Sequence, residues 1–176
     1  NYRMSNVIAG VIRGQYPHLE EHIAQKKAIY ERYRKGFADL PVKMNPITDG
    51  TEPNYWLSAM IIDEKYMCRQ VRDDSTALYS AETGKTCPTE ILGAIASINA
   101  EGRPIWKPMH MQPMYRMNEF ITREGSGRAK TNAYIAGGVF DVGADIFNRG
   151  LCLPSDNKMT AEEQDKVIGI VRACFE

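Results

Sequence analysis

The sequence has 176 residues, of which 43% are hydrophobic, and its 22 lysines and arginines balance 22 aspartates and glutamates. This length and composition exclude a disordered chain and allow one sizeable core that needs no disulfide or metal ion to stabilise it. The zero net charge argues against binding to nucleic acid or to a membrane surface, since such proteins carry a basic excess. No apolar run approaches the roughly 18 residues that span a bilayer, so we expect no membrane segment.

The first predicted elements are two helices. Ser5 is suited to cap a helix whose apolar residues recur at helical spacing. Pro17 breaks or kinks this helix, or begins the next one. A long helix with one apolar and one charged face then continues to about Asp39, and Pro41 ends it.

Short strands are expected next, over 42–45 and 55–62, and the second is apolar enough to lie inside a sheet. Residues 63–86 are polar and irregular, which predicts a surface insertion. A third helix is expected from about Pro88 to Glu101. We expect Ile98 to point inward from this helix and Gly102 to stop it.

The C-terminal part carries the clearest helix signals. Residues 122–138 are typical of a mobile loop. Asp141 is suited to cap a short helix that Gly150 closes, and a short strand over 151–153 follows. Thr160 and Glu163 match a capping box at the start of the last helix. Together these elements predict one α/β domain with three or four strands.

The four cysteines are widely spaced, at Cys68, Cys87, Cys152 and Cys174, without a C-x-x-C pair. This spacing argues against a metal site and against a dense disulfide framework. We therefore expect free thiols that pack as small hydrophobic side chains, in a reduced cytoplasmic setting.

Two short motifs match catalytic patterns too weakly to define a site. Residues 18–22 match H-x-x-E-H, in which two histidines one helical turn apart bind zinc, but solvated histidines explain this pattern better. Gly84-Lys85-Thr86 matches the end of a phosphate-binding loop, yet Tyr79 stands where its first glycine is needed. We predict no metal site from either motif.

Residues 103–115 form a candidate binding segment in which prolines restrict the backbone. Arginine and lysine can pair with phosphate oxygens, tryptophan can stack on a base or sugar, and histidine can move a proton. The side chains with these capacities are Arg103, Trp106, Lys107 and His110. From composition alone, a ligand-facing loop and a rigid connector remain equally open. The same tie holds for residues 1–3, which precede a helix N-terminus, where anions are stabilised.

Four segments taken together decide between these alternatives. They are NYRMSNVIAGVIRGQ at 1–15, HLEEHIAQKKAIYERY at 18–33, EGRPIWKPMHMQP at 101–113 and RGLCLPSDNKMT at 149–160. In this order they resemble the DegT/DnrJ/EryC1/StrS family of pyridoxal-phosphate-dependent sugar aminotransferases. Within the family, the resemblance is to the subgroup that aminates UDP-linked 4-keto-6-deoxy sugars, as in bacillosamine-type pathways. The stretches 63–86 and 122–138 look longer than is usual in the family.

The resemblance implies a fold and a division of the chain. The implied fold is α/β, the C-terminal small domain of a fold-type I aminotransferase, with a short, mainly antiparallel sheet covered by helices. Residues 1–39 would link this domain to a large N-terminal domain, and 40–176 would form the small domain. The large domain holds the Schiff-base lysine, and no lysine here lies in that motif. Since the chain begins with Asn1 rather than Met, we expect an inactive C-terminal half.

The resemblance also implies roles for individual residues. Asn1 would hydrogen-bond the phosphate of pyridoxal 5'-phosphate across a homodimer interface, and Arg3 would lie near the mouth of the active site. The residues that match the segment near the nucleotide-sugar pocket, contributed to the partner subunit, are Arg103, Trp106, Lys107 and His110. Structural roles remain open beside these: a salt bridge for Arg3, a core position for Trp106 and a local backbone contact for His110.

The implied reaction is transamination. The amino group would move from a donor, expected to be glutamate, to the 4-keto carbon of a nucleotide-linked sugar. Two alternatives stay open. One is a free-standing, non-catalytic module for dimerisation or ligand binding. The other is a dehydratase of the same family that uses pyridoxamine phosphate and has histidine in place of the lysine.

Overall fold

The computed structural model describes residues 2–72, 77–115, 118 and 140–176. In these ranges the α-helices are α1 (Asn6–Gln15), α2 (Leu19–Gly36), α3 (Pro88–Ala96), α4 (Val142–Arg149) and α5 (Ala161–Ala173). The strands are β1 (Val42–Met44), β2 (Ser58–Ile62), β3 (Gln70–Arg72), β4 (Ala77–Tyr79), β5 (Arg103–Pro104) and β6 (Gly150–Leu153). The described residues therefore hold more strands than the three or four predicted. The additional strands are short: β3 and β4 form a hairpin, and β5 has only two residues.

Four strands form one antiparallel sheet in the order β1-β2-β6-β5. At one edge Val42 pairs with Ile62, and at the other Arg103 pairs with Cys152. Residues of β2 alternate between buried and half-buried, and every residue of β6 is buried. The predicted interior strand is confirmed, although it begins at Ser58, and so is the mainly antiparallel sheet that the resemblance implied.

The core lies where α2, α3 and α5 meet the two central strands. Its buried members are Ile29, Tyr33, Phe37, Met60, Ile62, Ile91, Ile95, Leu151, Leu153, Val167 and Val171. Tyr33 donates its hydroxyl proton to the carbonyl oxygen of Pro154 at 2.8 Å. Burial raises the pKa of this phenol, so the group stays neutral and its only polar atom is satisfied.

Local capping signals are confirmed at three helix starts. Ser5 accepts a hydrogen bond from the backbone N–H of Ile8 at 3.3 Å, and Asp141 accepts one from that of Ala144 at 3.0 Å. The side chains and backbones of Thr160 and Glu163 form the predicted capping box of α5. A short 3₁₀ turn containing Pro17 separates α1 from α2, as the sequence predicted.

The third helix is shorter than predicted. It ends at Ala96 because the chain turns at Asn99, whose φ of 59° is left-handed, and Ile98 is consequently 40% exposed rather than inward. Gly102 is therefore not a helix stop. A Cβ built on it would lie 2.8 Å from Leu92 Cδ2 and 3.0 Å from the carbonyl oxygen of Cys152, so glycine is needed here for close packing.

The 63–86 segment is not merely a surface insertion. Cys68 and Thr86 are buried, and the N–H of Cys68 donates to the carbonyl oxygen of Thr86 at 2.9 Å. The cysteines are free thiols, three of them buried and Cys174 half-buried, which confirms their expected packing. None of the described helices has the length and apolar character that crossing a membrane requires. The predicted loop at 122–138 lies outside the described residues.

Candidate functional site

Two tryptophans form an aromatic corner beside the β5 edge of the sheet. Trp56 precedes β2, Trp106 follows β5, and their ring centroids lie 5.8 Å apart with the planes inclined by 39°. Each residue is 63% exposed. Trp106 is therefore not a core residue, and the two rings leave outer faces on which a planar ligand can stack.

A cavity of about 250 Å³ adjoins this aromatic corner. Its lining combines aromatic, cationic and acidic side chains with a floor from β6, namely Lys26, Trp56, Leu57, Glu101, Arg103, Trp106, Cys152, Leu153, Pro154, Ser155 and Asp156. Ligand pockets have volumes of about 300–1,000 Å³. The cavity therefore suits one planar ring with its polar substituents rather than a complete nucleotide sugar. A larger cavity of about 830 Å³, lined in part by Ile98, Lys158 and Val167, contains none of the predicted site residues.

Arg103 lines the cavity and has a largely exposed side chain. Its guanidinium lies 2.6 Å from the carboxylate of Glu101, and the two side chains are 74% and 73% exposed. An ion pair this exposed adds little to stability. Arg103 can therefore exchange the carboxylate for a phosphate, to which its planar guanidinium offers two parallel N–H donors.

Lys26 also lines the cavity, although the helical pattern placed it on a solvated face. It is half-buried, and its Nζ donates to the carbonyl oxygen of Ser155. This contact joins α2 to the loop after β6. Neither Lys26 nor Trp56 carries a local sequence signal for the site. Strand pairing between distant segments brings Trp56 there, and the contact of α2 with the loop after β6 brings Lys26 there.

His110 is turned toward α4. Its Nε2 lies 2.5 Å from Oδ2 of Asp141, and the two side chains are 14% and 16% exposed. Asp141 also caps α4 through its other carboxylate oxygen. A Cβ on Gly143 would lie 3.3 Å from Pro108 Cγ, so the same segment packs closely against the first turn of α4. The carboxylate consequently fixes the orientation of the imidazole ring.

The hairpin β3–β4 holds the other end of α4. Arg72 donates to the carbonyl oxygen of Phe147 at 2.9 Å, and its guanidinium lies 4.4 Å from the centre of that ring. Gln70 Nε2 donates to the carbonyl oxygen of Asn148 at 2.5 Å. Burial lowers the pKa of Arg72, but the carbonyl end of a helix favours positive charge. The hairpin thus anchors the helix that begins beside His110.

The remaining predicted residues lie elsewhere. Lys107 is half-buried, outside the lining of the cavity, and its carbonyl oxygen accepts a hydrogen bond from Gln112 Nε2 at 3.2 Å. Arg3 is exposed before α1 and has no ion-pair partner within the described ranges. Asn1 lies outside those ranges. The structure therefore brings Arg103 and Trp106 to one cavity and places His110 in a separate contact.

The described side chains include no fully buried lysine and no metal-binding cluster. A lysine that forms a Schiff base must lose its proton, for which burial is the usual cause. Every lysine that the structure describes is exposed or half-buried. The described residues also contain no group of three histidine, cysteine or acidic side chains able to hold a metal. His18 belongs to an exposed contact with Glu21 at 3.8 Å, as expected of a solvated histidine.

The fold matches about a third of each of several solved aminotransferases. It superimposes on PseC of Helicobacter pylori, an aminotransferase in pseudoaminic acid biosynthesis, with a TM-score of 0.67 and 14% identity, over 99% of this chain and 38% of PseC. Structural neighbours of this kind are fold-type I pyridoxal-phosphate aminotransferases, which confirms the implied fold class. Residues 1–172 match the DegT/DnrJ/EryC1/StrS aminotransferase family, and the chain belongs to this family.

Two relatives extend this comparison. EpsN of Bacillus subtilis (strain 168), whose name assigns it to the pyridoxal phosphate-dependent aminotransferases, is 30% identical over 176 residues, which are 99% of this chain and 37% of EpsN. A GDP-perosamine synthase of Vibrio cholerae is 29% identical over 115 residues, which are 65% of this chain and 26% of that enzyme. The chain thus spans little more than a third of the length of EpsN.

Proposed function

We propose that this chain is the C-terminal, nucleotide-sugar-binding part of a pyridoxal-phosphate-dependent aminotransferase. The whole protein transfers an amino group, from glutamate, to a nucleotide-linked 4-keto-6-deoxy sugar. The observation that carries the proposal is the meeting of Arg103, Trp56 and Trp106 at one cavity. Membership of a sugar aminotransferase family and the limited coverage of its relatives support it.

The aromatic corner binds the nucleobase. Every base has a π-face, and stacking on tryptophan contributes about 1–3 kcal/mol per base. Asp156 and the carbonyl oxygens of the cavity accept hydrogen bonds from the ring N–H groups. Because the cavity is small, the sugar extends out of it.

Arg103 binds the diphosphate that follows the base. It releases Glu101 and pairs with phosphate oxygens, because a doubly charged diphosphate attracts the guanidinium more strongly than an exposed carboxylate. Lys107 adds positive charge on the same segment, and His110, oriented by Asp141, hydrogen-bonds the sugar. These residues bind and orient the substrate, and none of them carries a catalytic role in this chain.

The cofactor is held mainly outside this chain. When bound, pyridoxal 5'-phosphate supplies the electron sink that transamination needs. Asn1 would hydrogen-bond its phosphate across the homodimer interface, and Arg3 would lie at the mouth of the same site. The Schiff-base lysine belongs to a large domain that residues 1–39 connect to the small domain, 40–176. This chain alone retains no cofactor and is inactive, and the whole protein works in the cytoplasm.

The test is an assay of the whole protein with glutamate and a panel of UDP-, GDP- and dTDP-linked 4-keto-6-deoxy sugars. The expected product is an amino sugar, with one molecule of 2-oxoglutarate per turnover. Arg103→Ala and Trp106→Ala should raise KM by about 5–150-fold, the equivalent of about 1–3 kcal/mol. Lys158→Ala, at the larger cavity, is the matched control and should leave KM unchanged.

Three results would contradict the proposal. A dehydrated sugar in place of an amino sugar would indicate the dehydratase. Binding of a nucleotide sugar without turnover of any panel member would indicate a non-catalytic module. Unchanged KM in both Arg103→Ala and Trp106→Ala would remove the assigned binding site.

A further inference from the structure

Cys68 and Cys87 occupy neighbouring positions on two hydrogen-bonded segments. The N–H of Cys68 donates to the carbonyl oxygen of Thr86 at 2.9 Å, and the N–H of Thr86 donates to that of Tyr66 at 3.0 Å. Met67 and Thr86 are therefore a parallel pair, and the cysteines are the next pair in this register. Adjacent strands lie about 4.8 Å apart. This spacing is within the Cα separation of about 4.4–6.8 Å that a disulfide requires.

The side chains of this pair also meet. Cys68 is 3% exposed, Cys87 is fully buried, and both are free thiols. Burial, followed by the influence of the neighbouring Cys87 side chain, raises the pKa of Cys68 to about 12. Paired strand positions direct their side chains to the same face of the ladder. The register therefore places the two cysteine side chains next to each other on the same face of the ladder.

We propose that Cys68 and Cys87 are a thiol modification site, a dithiol that hydrogen peroxide oxidises to an intramolecular disulfide. The sulfur of one cysteine attacks the peroxide O–O bond, which gives a sulfenic acid and water. The sulfur of the other attacks the sulfenic sulfur, forms the S–S bond and releases a second water. Two electrons pass from the sulfur atoms to the peroxide, and both thiol protons end in water. This site is independent of the proposed function.

Oxidation at this site follows local opening. Among the described residues, the hairpin β3–β4 is paired with no further strand, and all three residues of β4 are exposed. Because its outer strand is exposed, the hairpin opens more readily than the buried central sheet. In the closed form, burial keeps peroxide out and keeps the Cys68 thiol protonated. The disulfide then forms slowly under mild oxidation and persists once the hairpin has closed over it.

Cys174 is the competing partner of Cys87. It lies at the C-terminal end of α5, and burial, followed by the charges of Glu90 and Cys87, raises its pKa to about 11. Side-chain packing between α3 and α5, rather than a strand register, brings it near Cys87. Cys68 is favoured because its backbone is already hydrogen-bonded alongside the partner segment.

The disulfide would fix the hairpin against the start of α3. It closes a loop from residue 68 to residue 87, which removes entropy from the unfolded chain. The thermal midpoint of the oxidised protein should rise by about 5–10 °C. Since Gln70 and Arg72 of the hairpin hold α4, the same bond reduces the motion of that helix.

The test is peptide mapping of the folded protein after exposure to hydrogen peroxide and alkylation of the remaining thiols. Trypsin cuts after Lys65, Arg69 and Lys85, so the two cysteines fall on separate peptides. The expected result is one linked pair, Cys68 with Cys87, that dithiothreitol separates again. A bond from Cys87 to Cys174, or a linked pair found only in unfolded protein, would overturn the proposal.

Variants and thermal unfolding complete the experiment. Cys152→Ser removes a buried thiol elsewhere and should leave the linked peptide and its thermal shift intact. Cys68→Ser should abolish both. If wild-type protein yields no linked pair at peroxide doses that oxidise glutathione completely, the dithiol does not form a disulfide and the proposal is wrong.

Discussion

His110 Nε2 lies 2.5 Å from Oδ2 of Asp141, whose other carboxylate oxygen accepts the N–H of Ala144. The Asp141 carboxylate therefore has two roles, since it orients the imidazole of His110 and caps α4. These two roles respond differently to substitution of Asp141. Asparagine caps helices about as well as aspartate does, but it removes the negative charge from the histidine contact.

Asp141→Asn should separate these roles. We expect the thermal midpoint to change little and the KM of the whole protein for its nucleotide sugar to rise, because His110 loses its fixed orientation. Asp141→Ala should lose the cap as well, at a cost of about 0.5–2 kcal/mol in the free energy of unfolding. Steady-state kinetics and thermal unfolding measure the two effects.

The matched control for this experiment is Thr160→Ala, which removes the cap of α5 alone. It should lower stability by a similar amount and leave KM unaltered. If Asp141→Asn and wild type have the same KM, the contact between Asp141 and His110 is only structural.

A second prediction concerns the aromatic corner. Trp56 and Trp106 are the two tryptophans of this chain, and both adjoin the candidate cavity. Stacking of a nucleobase should quench their fluorescence, so titration with UDP, GDP and dTDP measures binding to this corner directly. Trp56→Phe keeps an aromatic face and should retain binding, whereas Trp56→Ala should weaken it by about 5-fold or more. Equal quenching by inorganic diphosphate would exclude stacking as its cause.

The sequence predicted the local features of the fold well. The caps at Ser5, Asp141 and Thr160 depend on side chains within one turn of the helix start, and a sequence window contains all of that information. The predicted end of α3 was wrong because the helix ends where the chain makes a left-handed turn at Asn99. Asparagine adopts that conformation more readily than most residues, but the apolar periodicity through Ile98 concealed it.

The candidate site was only partly predictable. Arg103 and Trp106 are close in the sequence, so the segment that contains them could be identified from its composition. Trp56 reaches the site through the pairing of β2 with β6 and of β6 with β5, which no local pattern specifies. The register that aligns Cys68 with Cys87 is likewise a property of long-range pairing.

A third prediction concerns Gly150, the first residue of β6, directly after α4. A Cβ at this position would lie 2.6 Å from the carbonyl oxygen of Ile146 and 2.8 Å from Ile105 Cγ1. Gly150→Ala should therefore lower the free energy of unfolding by about 1–3 kcal/mol, as overpacking does. Gly169→Ala is the matched control, because that position in α5 has open space and alanine should stabilise the helix by about 0.5–1 kcal/mol. Chemical denaturation measures both, and equal stability of the two variants would contradict the packing argument.

The last prediction is a pH dependence that arises from Asp39. Both guanidinium NH groups of Arg172 donate to this carboxylate at 2.7 Å, and these hydrogen bonds lower the pKa of Asp39 to about 2. Because the folded pKa lies below the unfolded one, which is about 3.9, the contact stabilises the fold fully above pH 4. The stabilisation is lost as the pH falls from about 4 to 2.

Asp39→Asn should remove this part of the acid dependence. The effect is small, because both side chains are well exposed and salt screens the pair. Thermal midpoints measured between pH 5 and pH 2 at low salt should therefore fall less steeply for the variant than for wild type. Asp49→Asn, at a position with no ion-pair partner in the described part of the chain, should behave as wild type. If Asp39→Asn follows the wild-type curve, the ion pair with Arg172 does not form in solution, and the other contacts between α5 and α2, such as that of Arg172 with the carbonyl oxygen of Gly36, hold the two helices together.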